Sequence, residues 1–186
     1  MYRALAWSVL QKGLEAEDDA ALRAHLAAVE VEVRGERVMV DGRDVTEEIR
    51  TREVAEFTSR LSRLAVVRDK VVPIQRRLAA AGGVILEGRD TGTVVCPDAE
   101  VKFYLDATLE TRARRRWAEF RAQGLPVELA TVRAELEARD RQDRTRDLAP
   151  LRPAPDAVVI DTTGLSVDEV VVRLLTEIER RCSIRC

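Results

Sequence analysis

The chain has 186 residues, enough for one compact domain with a small insert, and 46% are apolar but only 4% aromatic, so its core is aliphatic. A net charge of −2 gives general nucleic-acid binding no electrostatic support. Charge interrupts every apolar run too soon for a membrane span, and the stretch around Arg3 is no signal peptide, so a cytoplasmic protein is expected.

In chain order, Met1 to Gln11 reads as a helix that Gly13 ends. Asp18 or Asp19 can cap a second helix carrying Leu22, Leu26 and Val29. The period then drops to two. Val29, Val31 and Val33 alternate with charged residues, Gly35-Glu36 turns the chain, Val38 and Val40 follow, and Asp41-Gly42 turns it again. This pattern predicts a small antiparallel sheet. Thr46 and Thr51 are read as helix caps. Helical spacing runs through Phe57, Leu61 and Leu64, then from Val67 to Leu78 with Pro73 as a candidate kink, and Gly82-Gly83 breaks it.

The second half has another texture. Val84-Ile85-Leu86, Val101 to Leu105 and Val158-Val159-Ile160 read as short buried strands, each ending in polar residues. Helical sequence covers Leu109 to Gln123, Leu129 to Gln142 and Val167 to Arg181. Strands alternating with helices predict a parallel α/β sheet with helices on both faces, whose ligands sit at the carboxyl ends of the strands. The tail from Ser183 to Cys186 reads as unstructured.

Two segments carry candidate chemistry. Gly88-Arg89-Asp90-Thr91-Gly92-Thr93 is either a tight turn with a surface ion pair or a loop that brings backbone and Arg89 to a ligand. Glu137 to Asp147 packs four arginines and three aspartates into eleven residues. On a continuous helix Arg139, Asp143 and Arg146 share a face. They form either a solvated ion-paired surface or a cation–anion–cation array for a nucleotide. Arg112, Arg114, Arg115 and Arg116 form another arginine run. Only Lys12, Lys70 and Lys102 among 31 basic residues are lysine, which fits either codon bias or bidentate phosphate recognition. His25 is the only histidine and has no Ser-His-Asp or Cys-His set around it. No metal-ligand spacing occurs, and Cys96, Cys182 and Cys186 read as free thiols.

Taken together, these segments resemble the bacterial cytidylate kinase family nearly end to end. The matching stretches are Met1 to Ala6, Val40-Asp41-Gly42, Ile49 to Val54, Gly88 to Val95, Pro97-Asp98-Ala99, Phe103 to Ala107, Glu137 to Arg146 and Ala149-Pro150-Leu151. The resemblance implies an α/β nucleoside monophosphate kinase fold over residues 1–186, with a monophosphate-binding insert at about 29–64 and a lid at about 108–148. It implies a monomer that moves a phosphoryl group from ATP, with Mg²⁺, to CMP or dCMP. Carried over by motif, Ser59, Arg68 and Asp90 would recognise cytosine. Arg3, Arg89 and Arg146 would hold the CMP phosphate. Arg139 and Asp143 would address the ribose and neighbouring phosphate. Arg112 and Arg116 would be lid arginines facing ATP, so Arg112, Arg116 and Arg146 are the candidate catalytic residues, with no metal ligand.

The departure is at the start. The family opens on a central strand and a GxxxxGK[ST] phosphate loop, and no such segment occurs among these 186 residues. An internal methionine taken as the start is the expected explanation, with roughly 35 to 40 residues preceding it, about one βαβ-type unit. Neighbouring strands are expected to lose ladder partners, and the chain alone to bind CMP weakly and transfer no phosphate. A non-catalytic remnant that binds CMP or a partner protein is one alternative; a kinase for UMP or AMP is another.

Overall fold

The computed structural model describes residues 1–183; the cysteine-bearing tail beyond them lies outside the described residues. The chain forms two compact units, Met1–Val84 and Ile85–Cys186. In the first unit, α1 (Tyr2–Gln11) ends at Gly13, whose positive φ of 64° suits a residue without Cβ. The Asp19 carboxylate accepts the Leu22 amide and caps α2 (Ala20–Ala28), while Asp18 pairs with Arg23 instead. Val29 belongs to the end of α2 and not to the sheet.

Strands β1 (Val31–Arg34), β2 (Arg37–Val40) and β3 (Arg43–Asp44) make the expected antiparallel sheet, with Val31 opposite Val40. Val31 and Val40 are buried, whereas Val33, on the same face two residues further along β1, is exposed, so that face is covered at its Val31–Val40 end only. Thr51 caps α3 (Arg52–Leu61) by accepting the Val54 amide. Thr46 caps nothing: its hydroxyl accepts the Val38 amide and donates to Asp44, a strand-to-turn lock. Helix α4 (Ala65–Ala80) runs on through Pro73. The contiguous apolar core belongs to this unit and is built from Leu5, Val9, Leu22, Phe57, Leu61 and Val67, among others.

His25 joins α2 to α1 through a 2.8 Å hydrogen bond between its Nε2 and the Ser8 hydroxyl. Burial holds the imidazole below its ordinary range; Lys12 and Lys70 push the same way and Asp41 opposes them. The unfolded chain therefore takes up this proton first, so stability falls as pH drops below about 6.5 and the loss is complete below the folded-state value. Urea midpoints followed from about pH 7.5 to about pH 5.5 should fall, and His25→Gln should flatten that slope. An unchanged slope in the variant would remove His25 as the cause.

The second unit pairs β4 (Phe103–Asp106) with β5 (Val158–Asp161) in parallel, Phe103 opposite Val158. Helices α5 (Leu109–Ala122) and α6 (Leu129–Thr145) pack against each other, and α7 (Val167–Ser183) closes the described chain. Ser183 thus still belongs to a helix. The result is a mixed α/β architecture with a parallel sheet.

The expected strand at Val84-Ile85-Leu86 does not form, and Ile85 is 98% exposed. A strand is a pairing, and no described strand lies beside this run. For the same reason β4 and β5 are less buried than expected. With two strands only, Leu105 and Val159 stay exposed and Ile160 alone is buried. No described helix is long and apolar enough to cross a membrane.

Candidate functional site

The turn after Leu86 is built around Gly88. A Cβ there would run into the Thr91 hydroxyl, so any larger residue needs that side chain to turn away. Thr91–Val95 then forms one π-helical turn in which the Asp90 carbonyl accepts the amides of Thr93 and Val94 at 3.2 and 2.8 Å. This turn buries Asp90 and leaves Arg89 half-exposed.

Helix α6 brings in the other side chains. Arg139, Asp140 and Asp143 lie on it at spacings that share a face. Arg146 is its C-cap and leaves the helix with extended ψ, which corrects the expectation of a helix continuous to this residue. The loop beyond folds back: Leu151 donates to the Asp143 carbonyl at 2.7 Å, and Arg146 Nε donates to the Ala149 carbonyl at 2.7 Å. Ala149 has φ of 51°, a strained conformation for a residue with Cβ. That strain sits where the loop returns Arg146 to Asp143.

Arginines surround two buried carboxylates. Asp143, only 5% exposed, has Arg89 Nε at 3.3 Å, Arg139 Nε at 3.8 Å and Arg146 Nη1 at 3.8 Å. Asp140 has Arg112 Nη1 at 2.6 Å and Arg89 Nη1 at 4.0 Å. Four arginines against two aspartates leave a local excess of positive charge. Arg146 is 6% exposed, and its Nη2 has no hydrogen-bond partner among the described residues; nor do Asp140 Oδ1 and Asp143 Oδ2. Buried polar atoms held by charge, without hydrogen bonds, fit a ligand that offers both acceptors and donors.

Beside this cluster a groove of about 530 Å³ opens between the start of α5 and the end of α6. Its lining includes Asp106, Thr108, Arg112, Asp140, Arg141 and Arg144. Arg112 is fixed there, because its Nε donates to the Ala107 carbonyl at 2.9 Å.

Of the residues anticipated from sequence, Arg89, Arg112, Arg139, Asp143 and Arg146 come together. Asp90 is buried in the turn that follows Arg89. Arg116 engages Glu119 at 2.7 Å and lies over the Phe120 ring at 4.4 Å. Arg3, Ser59 and Arg68 belong to the first unit, on α1, α3 and α4, with Arg68 only 7% exposed. Asp140 is the member that sequence reasoning missed. Its signal was available, since it lies three residues before Asp143 on one helix.

Two of the polar strand ends also hold turns of the fold, and one of them, Asp106, belongs to the groove lining as well. Asp106 accepts the Ala107 amide, and the Asp161 carboxylate accepts the Thr163 amide. Hydrogen bonds from Thr163 hold the Asp161 carboxyl below the usual carboxylate range. Arg115 donates to the Thr162 hydroxyl and to the carbonyls of Thr162 and Leu165, clamping α5 to the end of β5. Among the described residues no group of three His, Cys, Asp or Glu side chains converges as a metal site.

A family model described as cytidylate kinase matches residues 1–180. The chain is 46% identical over 185 residues to the cytidylate kinase of Syntrophotalea carbinolica, covering 97% of this chain and 79% of the relative. It is 45% identical to those of Symbiobacterium thermophilum and Geobacillus kaustophilus, with 97% of this chain covered and 82% and 83% of the relatives.

Proposed function

We propose, since the chain belongs to the cytidylate kinase family, that its arginine cluster binds the phosphate of CMP or dCMP as acceptor for the γ-phosphoryl group of ATP. Enzymes of this family are nucleoside monophosphate kinases. The observation that carries the reading is the buried Arg146 Nη2 and the two carboxylate oxygens without hydrogen-bond partners. A phosphate oxygen accepts from the arginine, and ribose hydroxyls donate to the carboxylate.

In this proposal Arg89 and Arg146, with Arg3, hold the CMP phosphate. Arg139 and Asp143 address the ribose and the neighbouring phosphate. Ser59, Arg68 and Asp90 read the cytosine edge, whose amine suits a carboxylate and whose ring acceptors suit arginine and hydroxyl donors. A CMP phosphate oxygen attacks the γ-phosphorus as the bond to the β-phosphate oxygen breaks, giving CDP and ADP. Arg112, at the groove, and Arg116 stabilise the charge spread over the transferring group. Magnesium, bound through the ATP phosphates, would supply further neutralisation there, with no side chain of this chain assigned to hold it.

The 186 residues contain no GxxxxGK[ST] segment to cradle the ATP phosphates. The chain by itself is therefore expected to bind CMP weakly and to form no CDP. Calorimetric titration with CMP, dCMP, UMP and AMP tests the acceptor assignment, with heat expected for the cytosine nucleotides alone. A preference for UMP or AMP would defeat the roles given to Ser59, Arg68 and Asp90. ATP-dependent CDP formation by the 186-residue chain, at the rate of a longer relative, would overturn the second expectation.

A further inference from the structure

Asp140 is almost as buried as Asp143, yet none of the roles above falls to it. We propose that Asp140 is a positioning residue: it holds Arg112 at the mouth of the groove and ties it to Arg89. This rests on reading the cluster as the CMP-phosphate site.

Arg112 stands on α5 and Asp140 on α6. The guanidinium is anchored twice. Nε donates to the Ala107 carbonyl at 2.9 Å, and Nη1 lies 2.6 Å from Asp140 Oδ2. Anchors on two nitrogens of a planar group fix both its position and its plane. The second oxygen of Asp140 faces Arg89 Nη1 at 4.0 Å, while Arg89 Nε engages Asp143. Arg89 is thus shared between two carboxylates, and Asp140 touches both Arg89 and Arg112.

The consequence is a physical link between groove and cluster. A phosphate that draws Arg89 toward itself withdraws positive charge from Asp140 Oδ1. The carboxylate then pairs more completely with Arg112, so occupancy of the cluster is felt at the groove. Such coupling needs contiguous groups whose pairing changes, and these three side chains are contiguous. An asparagine keeps the shape of Asp140 but loses the charge that makes the 2.6 Å contact strong.

The test follows the arginine side-chain N–H signals of the chain by NMR, with Arg112 assigned from their loss in Arg112→Lys. Restricted rotation of the Arg112 guanidinium is expected in the wild type, and free rotation in Asp140→Asn. The Arg115 signals, anchored on Thr162 and Leu165, serve as the internal control and should not change. Should Asp140→Asn fail to fold, Asp140→Glu keeps the charge and displaces it by one methylene; the Arg112 signals should shift while those of Arg115 stay. Arg112 signals unaltered in the folded variant overturn the positioning role.

CMP supplies the second arm. In the wild type, CMP should move the Arg112 signals as calorimetric binding proceeds; in Asp140→Asn, CMP should still release heat while Arg112 no longer responds. An equal response in both proteins overturns the coupling. Absence of CMP heat in the wild type defeats the proposed function instead, and the ligand-free comparison of Arg112 still decides the positioning role.

Discussion

Asp143→Ala is expected to destabilise the second unit by about 3–5 kcal/mol. Its carboxylate is 5% exposed and lies within 4 Å of Arg89, Arg139 and Arg146. Removing it leaves like charges facing one another in a poorly solvated place, and Arg146, itself 6% exposed, cannot move its charge to water without unmaking the loop at Ala149. That cost approaches the whole stability of a small unit, about 5–15 kcal/mol. Urea unfolding followed through Trp117, which belongs to this unit, measures it. Asp147→Ala is the control, since Asp147 is exposed on the same segment. Equal unfolding midpoints for the two variants would show that Asp143 does not organise the cluster.

Arg146→Ala is expected to raise the CMP dissociation constant by about 10- to 100-fold, the worth of one charge-assisted hydrogen bond to phosphate, about 1.5–3 kcal/mol. The expectation rests on Nη2, a buried donor without a hydrogen-bond partner among the described residues, beside an Nε already committed to the Ala149 carbonyl. One edge of the guanidinium holds the loop, and the other is the buried edge that the proposal assigns to a phosphate oxygen. Lysine has no such fork, so Arg146→Lys should recover little of the loss. Cytidine, which lacks the phosphate, should bind the wild type and Arg146→Ala alike. A parallel loss for cytidine would mean that the substitution had disturbed the fold.

Much of the fold was legible because its signals are local. The alternating valines with Gly35-Glu36 and Asp41-Gly42 specify the antiparallel sheet through strand period and turn geometry alone. Asp19 and Thr51 were legible as caps because a cap is a contact across three residues. Thr46 has the same chemistry, but its hydroxyl went to Val38, eight residues back in the sheet. Val84-Ile85-Leu86 has strand composition, yet composition supplies no partner.

The candidate site divides in the same way. The sequence by itself determined which side chains were available: the Gly88–Thr93 turn, and the arginines and aspartates from Arg139 to Arg146. It also carried the family resemblance, which depends on residue order and nothing else. Only the tertiary structure decided the pairings. It gave Arg112 to Asp140 and shared Arg89 between Asp140 and Asp143, whereas Arg116 with Glu119 and the turns at Asp106 and Asp161 are contacts within three residues along the chain. The physical reason is that an ion pair needs two charges within about 4 Å, and for Arg112 and Asp140 that distance depends on how α5 and α6 pack, not on their separation along the chain.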